Sequence, residues 1–192
     1  MSNLIALTGY ARAGKDEAAK ALTQVGWERR CFGDLIKEQI DPLVRRHLGF
    51  SAFTEIDSQK QLIRGTLEQW GESNYANIMR EFFDRLPFKT VNTRLCRVAE
   101  GLEWRRRGGL IVEIQRVTDG VPHGASTDWE RAVVDSLRSA NLIDICIVND
   151  GSPEDLYRTM QTLFVDNERP VTSPGSGPRT VRCSGPVFAE YW

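Results

Sequence analysis

The stretch that most constrains this chain runs from Leu4 to Leu22, L-I-A-L-T-G-Y-A-R-A-G-K-D-E-A-A-K-A-L. Leu4-Ile5-Ala6-Leu7 is a short continuous apolar run and reads as a buried strand. Gly9 to Asp16 follows as G-x-x-x-x-G-K-D, after which Ala18, Ala19, Ala21, Leu22 and Val25 continue as a helix. Strand, glycine loop and helix in that order is the setting a phosphate-binding loop requires. Glycine lets the backbone adopt conformations that a side chain forbids. Successive N–H groups, from Gly9 through Ala13 and Gly14 to Asp16 and Glu17, can then point at phosphate oxygens, and the helix N-terminus adds positive potential. Lys15 would reach the β and γ phosphates of a nucleotide. Arg12 adds a planar guanidinium able to grip a phosphate with two bonds. The alternative is a glycine turn before an ordinary helix; the flanking elements weigh against it.

At 192 residues the chain suits one domain with a sizeable core and small insertions. Its formal net charge of -1 gives no bulk electrostatic case for nucleic acid or membrane binding. The cations are skewed, 20 arginines against 5 lysines, which fits phosphate handling and equally fits a compositional bias of the genome. Cys31, Cys96, Cys146 and Cys183 form no C-x-x-C pair, and with only His47 and His123 beside them a zinc site is not expected. Scattered thiols and an N-terminus without signal-peptide character lead to the expectation of a cytoplasmic protein. No apolar run is long enough to cross a bilayer.

Further along, Arg29 to Phe32 reads as a weak strand, and Asp34 as the N-cap of a helix reaching Leu48 that Pro42 bends or restarts. Asp57 to Leu86 has helical patterning, divided at Gly71. Phe88 to Val91 reads as a strand and Leu95 to Arg107 as a helix, closed by Gly108-Gly109. Leu110 to Ile114 and Ile143 to Val148 are strands; Asp128 to Ala140 and Pro153 to Phe164 are helices. Residues 118–127 read as a mobile loop. Short apolar strands alternating with helices indicate an α/β fold, a parallel sheet covered on both sides. Ligands of such sheets sit at the carboxyl ends of the strands. That places the glycine loop, Asn92-Thr93-Arg94 and Gln115-Arg116 along one edge. The Pro- and Gly-rich segment 166–192 reads as an extended or disordered tail, whose last six residues, V-F-A-E-Y-W, could dock on the domain or on a second subunit.

Together with the loop, three further stretches carry a resemblance: Phe32-Gly33-Asp34-Leu35-Ile36-Lys37, Arg64 ahead of Gly71, and Asn92-Thr93-Arg94-Leu95 leading to Ala99-Glu100 and Gly108-Gly109. In order and spacing they resemble the deoxynucleoside monophosphate kinases found largely in bacteriophages. The resemblance runs from Leu4 to Phe164, with the Lys-Asp of the loop its most distinctive feature. It implies an adenylate-kinase-like P-loop fold over residues 1–165, a helical substrate-binding insertion at about 57–86 and a lid at about 117–127. It also implies phosphoryl transfer from ATP, with Mg²⁺, to a deoxynucleoside 5′-monophosphate, and a possible homodimer. Under that resemblance Lys15 holds the β and γ phosphates, Arg12 bridges donor and acceptor, and Arg94 holds the acceptor phosphate. Arg64 is a second acceptor-side candidate, Arg116 would act from a closing lid, and Asp34 and Lys37 would line the monophosphate pocket. Trp70 or Tyr75 could stack on a base, although aromatics at helical spacing are more often core. Arg105-Arg106-Arg107 closes a helix and reads as structural.

Two departures bear on the metal. Glu17 follows Lys-Asp where the family often has Thr, and Asn92 stands where it commonly has Asp. Both remove expected support for Mg²⁺, leaving Asp16, acting through water, as the candidate ligand. Two rival functions stay open. One is a P-loop kinase that phosphorylates a hydroxymethylated pyrimidine within phage DNA, which the net charge disfavours. The other is a nucleotide-binding protein without turnover. Base preference is not legible from periodicity.

Overall fold

The computed structural model describes residues 2–118, 121–122, 128–165 and 180–181. It divides into two compact units, one of Met1–Arg29 with Phe88–Trp192 and one of Arg30–Pro87.

The strands β1 (Leu4–Thr8), β2 (Glu28–Arg30), β3 (Thr90–Asn92), β4 (Leu110–Gln115), β7 (Ile145–Val148) and β8 (Thr180–Val181) form one sheet in the order β2-β3-β1-β4-β7-β8; β1, β4 and β7 are the apolar runs, whereas β2 is charged and exposed. A two-residue hairpin, β5 (Val117–Thr118) and β6 (Val121–Pro122), stands apart from it. β1 is parallel to β3 and to β4, and β4 is parallel to β7. Ile5, Ala6 and Leu7 have no exposed surface, as a central strand covered on both faces demands. The helices α1 (Lys15–Thr23), α5 (Val98–Arg106), α6 (Asp128–Ser139) and α7 (Pro153–Phe164) belong to the first unit. The small face of α1, Ala18, Ala19 and Ala21 with Leu22, packs into a core shared with Val91, Val112, Ile114, Ile147, Leu156 and Met160. Serine and proline at its start fix α7: the Ser152 hydroxyl accepts the Asp155 N–H, while the Asp155 carboxylate accepts the Ser152 N–H.

The second unit contains α2 (Phe32–Leu48), α3 (Asp57–Ser73) and α4 (Tyr75–Asp84). Its core is two clusters: Phe32 stacks on Phe82 at 3.8 Å with Phe83 edge-on, and Ile40, Val44, Ala52 and Ile63 pack with Phe50, Leu67 and Trp70. Several boundaries differ from the sequence reading. Cys31, extended at φ -151°, is the N-cap of α2, so Asp34 lies within the first turn, where its charge suits the helix dipole. Pro42 sits inside α2 without dividing it. Gly71 does not divide the next helix either. α3 runs through it to Ser73, and the break falls at Asn74, whose side chain donates to the Trp70 carbonyl. Gly71 is small for a packing reason: a Cβ there would lie 2.9 Å from Ile36 Cδ1 on α2.

The strand expected from Phe88 begins at Thr90, and Phe88 is largely exposed. α5 starts three residues later than its pattern suggests, because the buried Glu100 carboxylate turns back to accept the Cys96 N–H at 2.6 Å. Part of the loop expected at 118–127 is the β5–β6 hairpin; residues 119–120 and 123–127 lie outside the described residues. Of the tail, Thr180–Val181 is extended and antiparallel to β7, and the rest lies outside the described residues. Among the described residues no helix is long and apolar enough to cross a membrane.

Candidate phosphate-binding site

In the first unit the glycine loop leaves the carboxyl end of β1, between the ends of β3 and β4. Thr8 pairs in register with Glu113, so the loop begins level with the end of β4. Gly9 is held there by shape as well as by its φ of 133°. A Cβ at this position would come within 2.2 Å of the Ile114 carbonyl oxygen, far inside contact distance. The Ala13 N–H then donates to the Tyr10 carbonyl, closing a turn in which Arg12 takes φ 61° and projects into solvent. A non-glycine residue in this region stores on the order of 1–3 kcal/mol of strain. Gly14, at φ 106°, passes the chain into α1. The exposed Asp16 and Glu17 occupy the first turn of that helix, and Glu17 pairs with Lys20 at 2.6 Å.

Lys15 opens α1, and its ammonium donates to the Gly9 and Tyr10 carbonyls at 2.8 Å each. Burial pushes its pKa below the usual lysine value, Glu130 and Asp16 pull it back up, and Arg94 pushes it down again. Arg94 follows β3 and Lys15 follows the loop after β1, so two neighbouring strands bring two cations to one end of the sheet. Arg116 is exposed at the junction of β4 with β5.

Three residues that local sequence reasoning passed over hold the loop. Asn149, buried at the end of β7, donates from Nδ2 to the Ala13 carbonyl at 2.8 Å across 136 residues of sequence. Glu113, buried on β4, accepts from Arg138 of α6 through both oxygens, at 2.5 and 3.2 Å, and from Gln115 Nε2 at 2.9 Å. Arg138 in turn lies over the Tyr10 ring at 5.7 Å and pairs with Asp135 at 3.0 Å. Its guanidinium pKa is driven up, mainly by the hydrogen bond to Glu113. A local signal existed only for Glu113, a charge inside an apolar strand. Asn149 and Arg138 act over distances that periodicity does not see.

In the helical unit the proposed acceptor-side residues have protein partners. Asp34 and Lys37 are 3.9 Å apart, and Lys37 also lies 5.4 Å from the Phe53 ring centroid. Arg64 pairs with Glu68 at 2.9 Å on an exposed face of α3. The Trp70 indole N–H donates to Gln39 Oε1 at 2.9 Å while its ring packs on the Ile40 cluster.

Magnesium is the ion the resemblance implies. Among the described residues no group of three His, Cys, Asp or Glu side chains could hold a metal. Asn92 Oδ1 accepts the Arg94 N–H at 3.2 Å. Asp16, exposed in the first turn of α1, has an acceptor chemistry compatible with the water shell of a hydrated Mg²⁺.

No protein-family model matches the sequence, and no curated protein is significantly similar to it. Solved structures are similar in fold. A shikimate kinase from Acinetobacter baumannii in complex with shikimate is 16% identical, covers 88% of this chain and 96% of its own, and superposes with a TM-score of 0.50. A dephospho-CoA kinase from Campylobacter jejuni is 11% identical, covering 87% of this chain and 98% of its own at a TM-score of 0.46. A gluconokinase from Sinorhizobium meliloti 1021 is 11% identical, covering 86% and 94% at 0.43. At these identities the likeness concerns fold alone. The chain has the α/β fold of P-loop kinases: five parallel strands in the order β2-β3-β1-β4-β7, edged by the antiparallel β8 and flanked by helices.

Proposed function

We propose that this protein is an ATP-dependent small-molecule kinase and that its acceptor is a deoxynucleoside 5′-monophosphate. The observation that carries the reading is the loop itself. A strained turn between two left-handed glycines opens at the carboxyl end of a central strand, with Lys15 at its helix N-terminus. Such a loop suits a polyphosphate because main-chain N–H groups and an ammonium meet its charge without rearrangement during the reaction. The narrower choice of acceptor rests on the order of the sequence motifs and on Arg94.

In the transfer an acceptor phosphate oxygen attacks the γ phosphorus of ATP. The bond from that phosphorus to the β–γ bridging oxygen breaks, and ADP leaves with the electron pair. Positioning and charge neutralisation do most of the catalytic work. Lys15 exchanges its two carbonyl partners for β and γ oxygens. Arg12 reaches from the loop to the transferring group, Arg94 neutralises the acceptor phosphate, and Arg116 is assigned to closure. Asp34, Lys37, Arg64 and Trp70 are proposed as nucleotide-contacting residues of the helical unit. Asp16 would hold Mg²⁺ through water; the ion, when bound, offsets charge on the β and γ phosphates.

The experiment is incubation with ATP, Mg²⁺ and each deoxynucleoside monophosphate, with separation of the products. Diphosphate from at least one acceptor, abolished by Lys15→Ala, is the expected result. Labelled phosphate on an oligonucleotide carrying hydroxymethylated pyrimidine, and on no mononucleotide, would replace the acceptor assignment. ATP binding without transfer to any acceptor would remove the activity.

A further inference from the structure

We propose that Asn92 is a nucleotide-contacting residue whose side-chain amide donates a hydrogen bond to a non-bridging phosphoryl oxygen of the nucleotide held by the Gly9–Lys15 loop. The proposal rests on the phosphate-loop reading above and adds to it a second strand's contribution to the same site.

Asn92 is the last residue of β3 and has no exposed surface. It pairs in register with Ala6 of β1, the strand that runs into the loop. Its amide orientation is fixed by chemistry: Oδ1 accepts the Arg94 N–H at 3.2 Å, and the flipped amide would set one donor against another. That leaves Nδ2, with two protons, without a hydrogen-bond acceptor among the described residues. Buried polar atoms almost always have partners, and an orphaned amide costs its full desolvation penalty. The absent acceptor is therefore one that the described residues do not supply.

The surroundings say what kind. Arg94, two residues on, and Lys15 at the start of α1 follow neighbouring strands, so two cations stand at this end of the sheet beside the loop's main-chain N–H groups. An acceptor drawn there is an anion. Hydrated Mg²⁺ is the wrong partner, because its bound waters point protons outward and need acceptors, whereas Nδ2 can only donate. A phosphoryl oxygen supplies both the lone pair and the charge. The amide also separates two roles that a carboxylate at this position would merge. Asp would attract the ion and repel the phosphate; Asn addresses the phosphate alone.

The test measures ADP binding calorimetrically to full-length wild type, Asn92→Asp and Asn92→Ala, with EDTA and then with Mg²⁺. It also follows the ¹⁵N-labelled Asn92 side-chain amide of the wild type during ADP titration in EDTA. The expected result is that Asn92→Asp loses on the order of tenfold to a hundredfold in metal-free affinity. Mg²⁺ should restore part of that loss in Asn92→Asp and none in Asn92→Ala. The wild-type amide protons should shift downfield on ADP binding. Equal metal-free affinities with an unmoved amide resonance would overturn the proposal and leave the amide to a buried water. If a variant does not fold, the wild-type resonance alone decides. Wild type that fails to bind ADP would overturn the phosphate-loop reading itself, a separate outcome.

Discussion

Replacing Arg138 by leucine should destabilise the first unit more than neutralising its partner does. The Glu113 side chain is 3% exposed and both its oxygens lie on the guanidinium, whereas Arg138 is 37% exposed and has Asp135 as a second partner. Removing one member of a buried pair typically costs about 3–5 kcal/mol, because the other charge is left unpaired in a poor solvent. Two features reduce that here: the retained bond from Gln115 Nε2 at 2.9 Å, and the water that reaches a half-exposed position. The expected cost of Arg138→Leu is roughly 2–3 kcal/mol. Glu113→Gln keeps the shape and one acceptor and leaves a cation that solvent and Asp135 can serve, so its cost is about 1 kcal/mol. The double variant has no orphaned charge and should fall well short of the sum. Urea unfolding of the four proteins gives these differences directly. If Arg138→Leu is no worse than Glu113→Gln, or if the costs add, the pair is not the buried constraint described. Because Arg138 also lies over Tyr10, Arg138→Leu should weaken ATP binding as well.

Three further outcomes follow from the same structure. Gly9→Ala would drive a methyl group against the Ile114 carbonyl at 2.2 Å from a φ of 133°, and should cost roughly 3–5 kcal/mol with loss of ATP binding; a variant with wild-type melting and affinity would refute the close approach. Asn149→Ala strips the Ala13 carbonyl of its buried donor and should cost about 1–3 kcal/mol. Hydrogen exchange should accelerate in residues 9–14, and unchanged exchange there would count against the tether. In the helical unit, Ser51 and Arg45 hold the Asp41 carboxylate down to about 2 from its usual 3.8. A lowered acid contributes stability above its ordinary pKa and loses it as pH falls from about 4 through about 2. Asp41→Asn should flatten that part of the acid-unfolding profile followed by circular dichroism, and superimposable profiles would refute the assignment.

What could be read in advance depended on how local its cause was. Leu4–Leu7, Leu110–Ile114 and Ile143–Val148 are mostly apolar runs, the latter two with one carboxylate each, too short for helices, and each became a strand of the sheet within two residues of its expected ends. The start of α7 was legible because Ser152 followed by proline at the first helical position is a nearest-neighbour signal. The loop was legible because its spacing encodes backbone geometry. Gly71 misled for the opposite reason: its smallness answers a side chain on another helix, and nothing within α3 records that. The tethers Asn149–Ala13 and Arg138–Glu113 join residues 136 and 25 positions apart, and only the folded sheet brings them together. Asn92 was visible as a departure from a family pattern, but its unmet amide appears only once Arg94 has claimed the oxygen.

The two residues of β8 carry a consequence for how far the chain can be shortened. Thr180 and Val181 lie beside Ile147 and Cys146 and cap an apolar rim whose main-chain groups would otherwise be open to any extended peptide. A version ending at residue 165 would keep every part of the phosphate loop yet expose that rim, and bare rims recruit copies of themselves. Such a protein should start with normal nucleotide affinity and then scatter light as its concentration rises, while the full chain stays clear.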